Sequence, residues 1–176
     1  MQTVLTHLSD EPKLFPGCCS NLSKPLVETL SSSIPKNSLV FSVGAGSGLL
    51  ERLMLEHGVN IRAVEVMSCA NLFFPEERMV RVPTPTSLHP DAVEADVLLF
   101  CYPRSRDLVE KYLKAPGAMQ QAIFISHRDE WHGERGYHNL LRTYFASVRE
   151  ITLSKGSLPV LAAYEALCVA SSPVGR

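Results

Sequence analysis

A chain of 176 residues is long enough for one domain with a sizeable core, and 45% hydrophobic with 20% charged residues is ordinary globular usage. A net charge of −1 gives no field for holding DNA or RNA, which excludes nucleic acid as an expected partner. No apolar run approaches a membrane span, and Met1 to His7 lacks the basic start and apolar core of a signal peptide. Five cysteines, an odd number, suit a reducing compartment better than a disulfide framework. The expectation is therefore a cytoplasmic, single-domain protein (residues 1–176) with a small-molecule substrate and no membrane partner. A homodimer is the assembly to test.

In chain order, residues 1–36 precede the first strand. Phe15-Pro16-Gly17 reads as a turn, and Asn21 or Ser23 caps a helix over 24–33 with Pro25 in its first turn. Leu26, Val27, Leu30 and Ile34 give that helix an apolar stripe, and Pro35-Lys36-Asn37-Ser38 ends it. Leu39 to Glu51 then reads LVFSVGAGSGLLE, an apolar β-rich run that turns through Gly44, Gly46 and Gly48 into a helix over 48–57. A buried strand turning through glycines into a helix opens a βαβ unit. The glycines admit positive φ and let a ligand approach the main chain, and the helix N-terminal N–H groups face that ligand. Glu51, Arg52 and Glu56 read as a solvated helix face.

Ile61 to Val66 is the next strand, with an acid, Glu65, near its end. A short strand over 79–82 follows, then a turn-rich stretch, PTPTSLHPD, over 83–91. Asp96 to Cys101 is a buried strand ending in Tyr102-Pro103-Arg104. A helix over 107–114 leads through Pro116-Gly117 to a strand over 122–126. That strand runs into the most chemically loaded stretch, His127 to Gly136, with the only tryptophan, Trp131. A helix over 137–146 and strands over 147–153 and 162–170 complete the chain, the last two joined by a loop starting Ser154-Lys155-Gly156-Ser157.

The glycine spacing separates two ligand classes. A dinucleotide fingerprint, G-x-G-x-x-G/A, wants Gly or Ala at position 49, where Leu49 stands. The G-x-G-x-G present here, with Glu65 at the end of the next strand, resembles the class I (seven-strand) S-adenosylmethionine-dependent methyltransferases. That resemblance covers residues 38–170. It implies a doubly wound, three-layer α/β sheet of Rossmann-like type, mostly parallel with an antiparallel last strand, and S-adenosylmethionine as cofactor. It implies further that Gly44, Ala45, Gly46 and Gly48 pass the methionyl part over the backbone. Glu65, beside Val66, would accept hydrogen bonds from both ribose hydroxyls, a task suited to an acceptor-only carboxylate.

The loop after the third strand contacts adenine in that family, which makes Thr84, Thr86 and Ser87 candidates against their reading as plain turn residues. Tyr102 and Arg104, after the fourth strand, point to the acceptor side by topology. They lack the (N/D)PPY sequence of the branches that methylate amino groups of nucleic acids and protein amides. The family usually has an acid two residues before the first glycine, holding the methionyl amino group. Here that residue is Ser42, which accepts a hydrogen bond but supplies no charge. The segment before the first strand often forms a lid in that family, and here it is short enough to be a mobile lid or an oligomer contact.

Methyl transfer needs an in-line acceptor and often a base. His127 is the first candidate for the base and His132 the second, each against a solvated loop histidine. Asp129 or Glu130 would orient His127 or pair with Arg128. Trp131 would stack on a flat substrate or close the pocket, or else pack beneath the loop. His127, His132 and His138 match no ligand spacing, so no metal is expected. Cys18-Cys19 form no CxxC pair, and Cys101 and Cys168 read as small core hydrophobes. The leading functional expectation is methylation of a hydroxyl, amine or carboxylate of a metabolite, in secondary metabolism. The same fold without methyl transfer, as a cyclase, an isomerase or a non-catalytic partner subunit, is the alternative.

Overall fold

The computed structural model describes residues 8–115, 117–133 and 136–175. The N-terminal stretch Met1 to His7, Pro116, and the Glu134 and Arg135 portion of the charged stretch lie outside the described residues. A short antiparallel pair, β1 (Lys13–Leu14) and β2 (Asn21–Leu22), leads into α1 (Lys24–Ser33). Ser23 caps this helix, its hydroxyl accepting from the Leu26 N–H at 3.1 Å.

A seven-stranded sheet follows, built from β3 (Val40–Val43), β4 (Ile61–Val66), β5 (Met79–Val82), β6 (Val97–Cys101), β7 (Gln121–His127), β8 (Phe145–Ile151) and β9 (Glu165–Pro173). Its spatial order is β5-β4-β3-β6-β7-β9-β8. The first five strands in that order are parallel, and β9 runs antiparallel to both β7 and β8. The antiparallel last strand of the sequence reading is present.

Alternation along the buried strands divides the core into two layers. Val40, Val97, Leu99, Ile123 and Ile125 pack with α1 and with α2 (Leu49–Glu56). Phe41, Leu98, Phe100 and Phe124 pack with α3 (Arg106–Lys114), α4 (Arg128–His132) and α5 (Tyr137–Tyr144). Helices on both faces of a mostly parallel sheet make the doubly wound, three-layer architecture.

Three elements depart from the sequence reading. The α1 stripe is no mobile lid: Leu26, Val27 and Leu30 are fully buried in the sheet-facing core, each stabilising by on the order of 2 kcal/mol. The stretch after β7 forms a helical turn, α4, because Trp131 is drawn into the core against Phe124 at a ring separation of 5.8 Å. Helix α5 stops at Tyr144 rather than 146, since Phe145 already pairs with Pro173 as the start of β8.

Candidate active site

Strand β3 is where the chain reverses direction across the sheet, with β4 on one side and β6 on the other. Open α/β sheets bind ligands outside the carboxyl ends of strands at such a point. A cleft of about 710 Å³, counting the solvent at its mouth, opens there. Its floor is the main chain of Gly44 and Gly46 after β3, and one wall is Glu65 and Val66 at the end of β4. Ser87, after β5, and Tyr102 and Arg104, after β6, also line the cleft.

Gly44 and Gly46 have φ of +79° and +59°, the left-handed region that disfavours any residue with a Cβ. A Cβ built on Gly44 meets no atom within 4 Å, because it would project into open space. Gly48 serves differently. It caps α2 at φ +79°, and a Cβ there would lie 2.5 Å from the Phe74 Cβ, so it lets the 71–74 loop close against the glycine turn rather than lining the cleft. Ser47 clamps that turn on two sides. Its carbonyl accepts from the Leu72 and Phe73 N–H groups at 3.0 and 3.1 Å, and its hydroxyl donates to the Gly17 carbonyl at 2.6 Å. The N-terminal segment thereby lies across the glycine turn and brings Cys19 into the cleft wall.

Glu65 is held by the main chain. Its Oε2 accepts from the Gly46 N–H at 2.7 Å and its Oε1 from the Val66 N–H at 2.8 Å. A carboxylate offers about four acceptor positions, so both oxygens keep capacity for further donors. The arrangement fits a vicinal diol beside a bare backbone, as S-adenosylmethionine presents in its ribose.

Tyr102 sits at φ +51°, a costly conformation for a residue with a side chain. Two bonds hold it there: its N–H donates to the Ile125 carbonyl at 2.7 Å, and its hydroxyl to Glu165 Oε1 at 2.9 Å. Burial, and then the bond to Glu165, push its hydroxyl pKa far up. Tyr102 therefore stays a neutral donor. Arg104 is exposed at the mouth.

Several sequence candidates stand elsewhere. His127 does not line the cleft; its ring stacks on Tyr164 at 5.6 Å and its Nδ1 accepts from the Asp129 N–H at 3.3 Å. The Asp129 carboxylate also stands 3.5 Å from His127 Nδ1, and Arg128 pairs with Glu150. Trp131 is 1% exposed and packs in the core, which removes it from the acceptor side. Thr84 and Thr86 form a hydroxyl-bonded turn with each other and with Ser87, and only Ser87 lines the cleft. Cys168 is buried as expected, whereas Cys101 lines the cleft and is only half-buried. Among the described residues no group of three or more His, Cys, Asp or Glu side chains is placed to hold a metal ion.

Ser42 is buried and donates to Glu51 Oε1 at 2.6 Å. Glu51 itself overturns the solvated-face reading, for it is 1% exposed in the first turn of α2. With Ala45 it lines a smaller pocket, about 310 Å³ counting the solvent it opens to, behind the glycine turn. The helical pattern could not reveal this, since which face of α2 is covered depends on β3 and on residues 17–19. Ser42 opposite an acid one helical turn inside α2 was the one available signal.

No family model matches the sequence, and no curated protein matches it. Solved structures do match the fold. A TehB-like SAM-dependent methyltransferase from Corynebacterium glutamicum superposes with TM-score 0.57 at 14% identity, over 84% of this chain and 87% of that one. A precorrin-6y C5,15-methyltransferase from Geobacter metallireducens gives 0.56 at 12% identity, over 94% of both chains. A T. thermophilus 16S rRNA methyltransferase, solved with AdoMet and guanosine, gives 0.57 at 14% identity, over 94% of this chain and 47% of that one. With the strand order and glycine turn described above, these likenesses establish that the chain has the fold of the class I S-adenosylmethionine-dependent methyltransferases.

Proposed function

We propose that the chain is an S-adenosylmethionine-dependent methyltransferase acting on a small molecule. The observation that carries this reading is the cleft at the carboxyl ends of β3, β4 and β6, with Gly44 and Gly46 as a bare floor and Glu65 fixed by two backbone N–H groups. When bound, the cofactor supplies an electrophilic methyl group on a sulfonium. The chain's own residues orient it: the glycine turn admits the methionyl part and Glu65 accepts from the ribose hydroxyls. Ser87, Tyr102 and Arg104 border the remaining space.

Of a hydroxyl, an amine and a carboxylate as acceptors, a carboxylate fits best. No histidine lines the cleft among the described residues, and the Tyr102 hydroxyl is held protonated. A carboxylate needs no deprotonation, and Arg104 at the mouth supplies a cation to hold it. A net charge of −1 supports a small molecule over RNA.

Calorimetric titration with S-adenosylhomocysteine tests the cofactor assignment, with saturable binding expected and no heat of binding overturning it. Incubation with methyl-labelled cofactor and a panel of carboxylates, amines, alcohols and RNA then tests the acceptor. Label on a carboxylate supports the finer reading, and label only on RNA overturns it. Turnover that persists without cofactor would indicate cyclase or isomerase chemistry instead.

A further inference from the structure

Glu51 has no structural justification as it stands. It is buried, its Oε1 accepts from Ser42, and its Oε2 has no hydrogen-bond partner among the described residues. Burial raises its pKa to about 7, with Glu65 adding a smaller upward push. An orphaned carboxyl oxygen in a protein interior is costly whether ionised or protonated. Among the described residues no lysine, arginine or histidine lines the pocket it faces. A cationic hydrogen-bond donor from outside the described residues would complete it.

The pocket's position narrows that partner. Cys19, Gly44, Gly46 and Cys101 line both this pocket and the main cleft, so a ligand laid along the glycine turn reaches from one into the other. Of the two cationic centres of S-adenosylmethionine, the sulfonium has no N–H or O–H to give. The α-ammonium has three. Resting on the cofactor reading above, we propose that Glu51, carried by helix α2 and steadied by Ser42, receives the α-ammonium of the methionyl end. An acid on α2 thereby provides the charge that Ser42 on β3 does not.

The test compares two ligands, S-adenosylhomocysteine and 5′-methylthioadenosine, which share the adenosyl thioether and differ in the amino-acid end. Calorimetry on Glu51→Gln should show at least a tenfold loss of affinity for S-adenosylhomocysteine and affinity for 5′-methylthioadenosine within twofold of the unaltered chain. Glu65→Ala should weaken both. Equal losses for the two ligands in Glu51→Gln, or none for either, would overturn the Glu51 assignment while leaving the cofactor reading intact. Failure of the unaltered chain to bind either ligand would overturn both. A second measurement needs no variant. In the 13C spectrum of the unaltered chain near pH 6, S-adenosylhomocysteine should move the Glu51 carboxyl resonance to its ionised position, and 5′-methylthioadenosine should not. An unmoved resonance with bound S-adenosylhomocysteine overturns the proposal.

Discussion

Two carboxylates facing the same glycine turn behave in opposite ways. Glu65 is satisfied by backbone N–H groups and sits at the edge of the cleft, whereas Glu51 is buried in the adjoining pocket with one oxygen unpartnered among the described residues. Removing the Glu65 carboxylate should cost about 1–3 kcal/mol of cofactor affinity, the usual loss for a charged acceptor; titration of Glu65→Ala with S-adenosylhomocysteine reads it, and unchanged affinity would refute the ribose role. Glu51 makes a pH prediction. Its pKa stands near 7 when folded against 4.5 for an ordinary glutamate, so the folded chain holds the proton more tightly than the unfolded one. The stability this adds is fully present below about pH 4.5 and is lost as pH rises through about 7, a change on the order of 3 kcal/mol. Urea midpoints of the unliganded protein from about pH 5 to about pH 8 should therefore fall more steeply than those of Glu51→Gln. Parallel curves would mean that Glu51 is not held protonated.

At the scale of elements, the glycine turn and α1 were legible to different degrees. The strand, three glycines and helix read correctly from sequence because each departs sharply from ordinary usage, though the reason for Gly48 lay in the 71–74 loop packed against it. Gly48→Ala combines a positive φ with a contact on Phe74, and should lower the melting temperature measurably without lining the cleft itself. A melting curve matching the unaltered chain would show that the loop yields. The Ser23 cap and stripe of α1 were also readable, but the stripe alone does not say what covers it. Since Leu30 is fully buried in the main core, Leu30→Ala should cost about 2–5 kcal/mol of global stability. Loss of only a local, subglobal opening in hydrogen exchange would restore the lid interpretation. For Trp131 the sequence left a pocket role and packing beneath the loop equally open, and the ring is packed in the core against Phe124.

For the molecule as a whole, ligand binding should register as stability. A ligand that binds only the folded chain at a hundred times its Kd adds about 2.7 kcal/mol, so the melting temperature should rise with S-adenosylhomocysteine concentration. A flat response up to millimolar ligand would argue against the site. The sequence by itself determined the succession of elements and the position of the glycine turn with Glu65, because hydrophobic period, glycine spacing and chain order are local properties; the class of fold followed from the resemblance those motifs carry, and the strand order only from the tertiary structure. The sequence did not determine which polar side chains face the cleft. That choice depends on how β3, α2 and residues 17–19 meet, and contacts between segments far apart in the chain leave no periodic mark. So His127 stands outside the cleft, Cys101 borders it, and Glu51, which reads as solvated on its own helix, is buried behind the glycine turn.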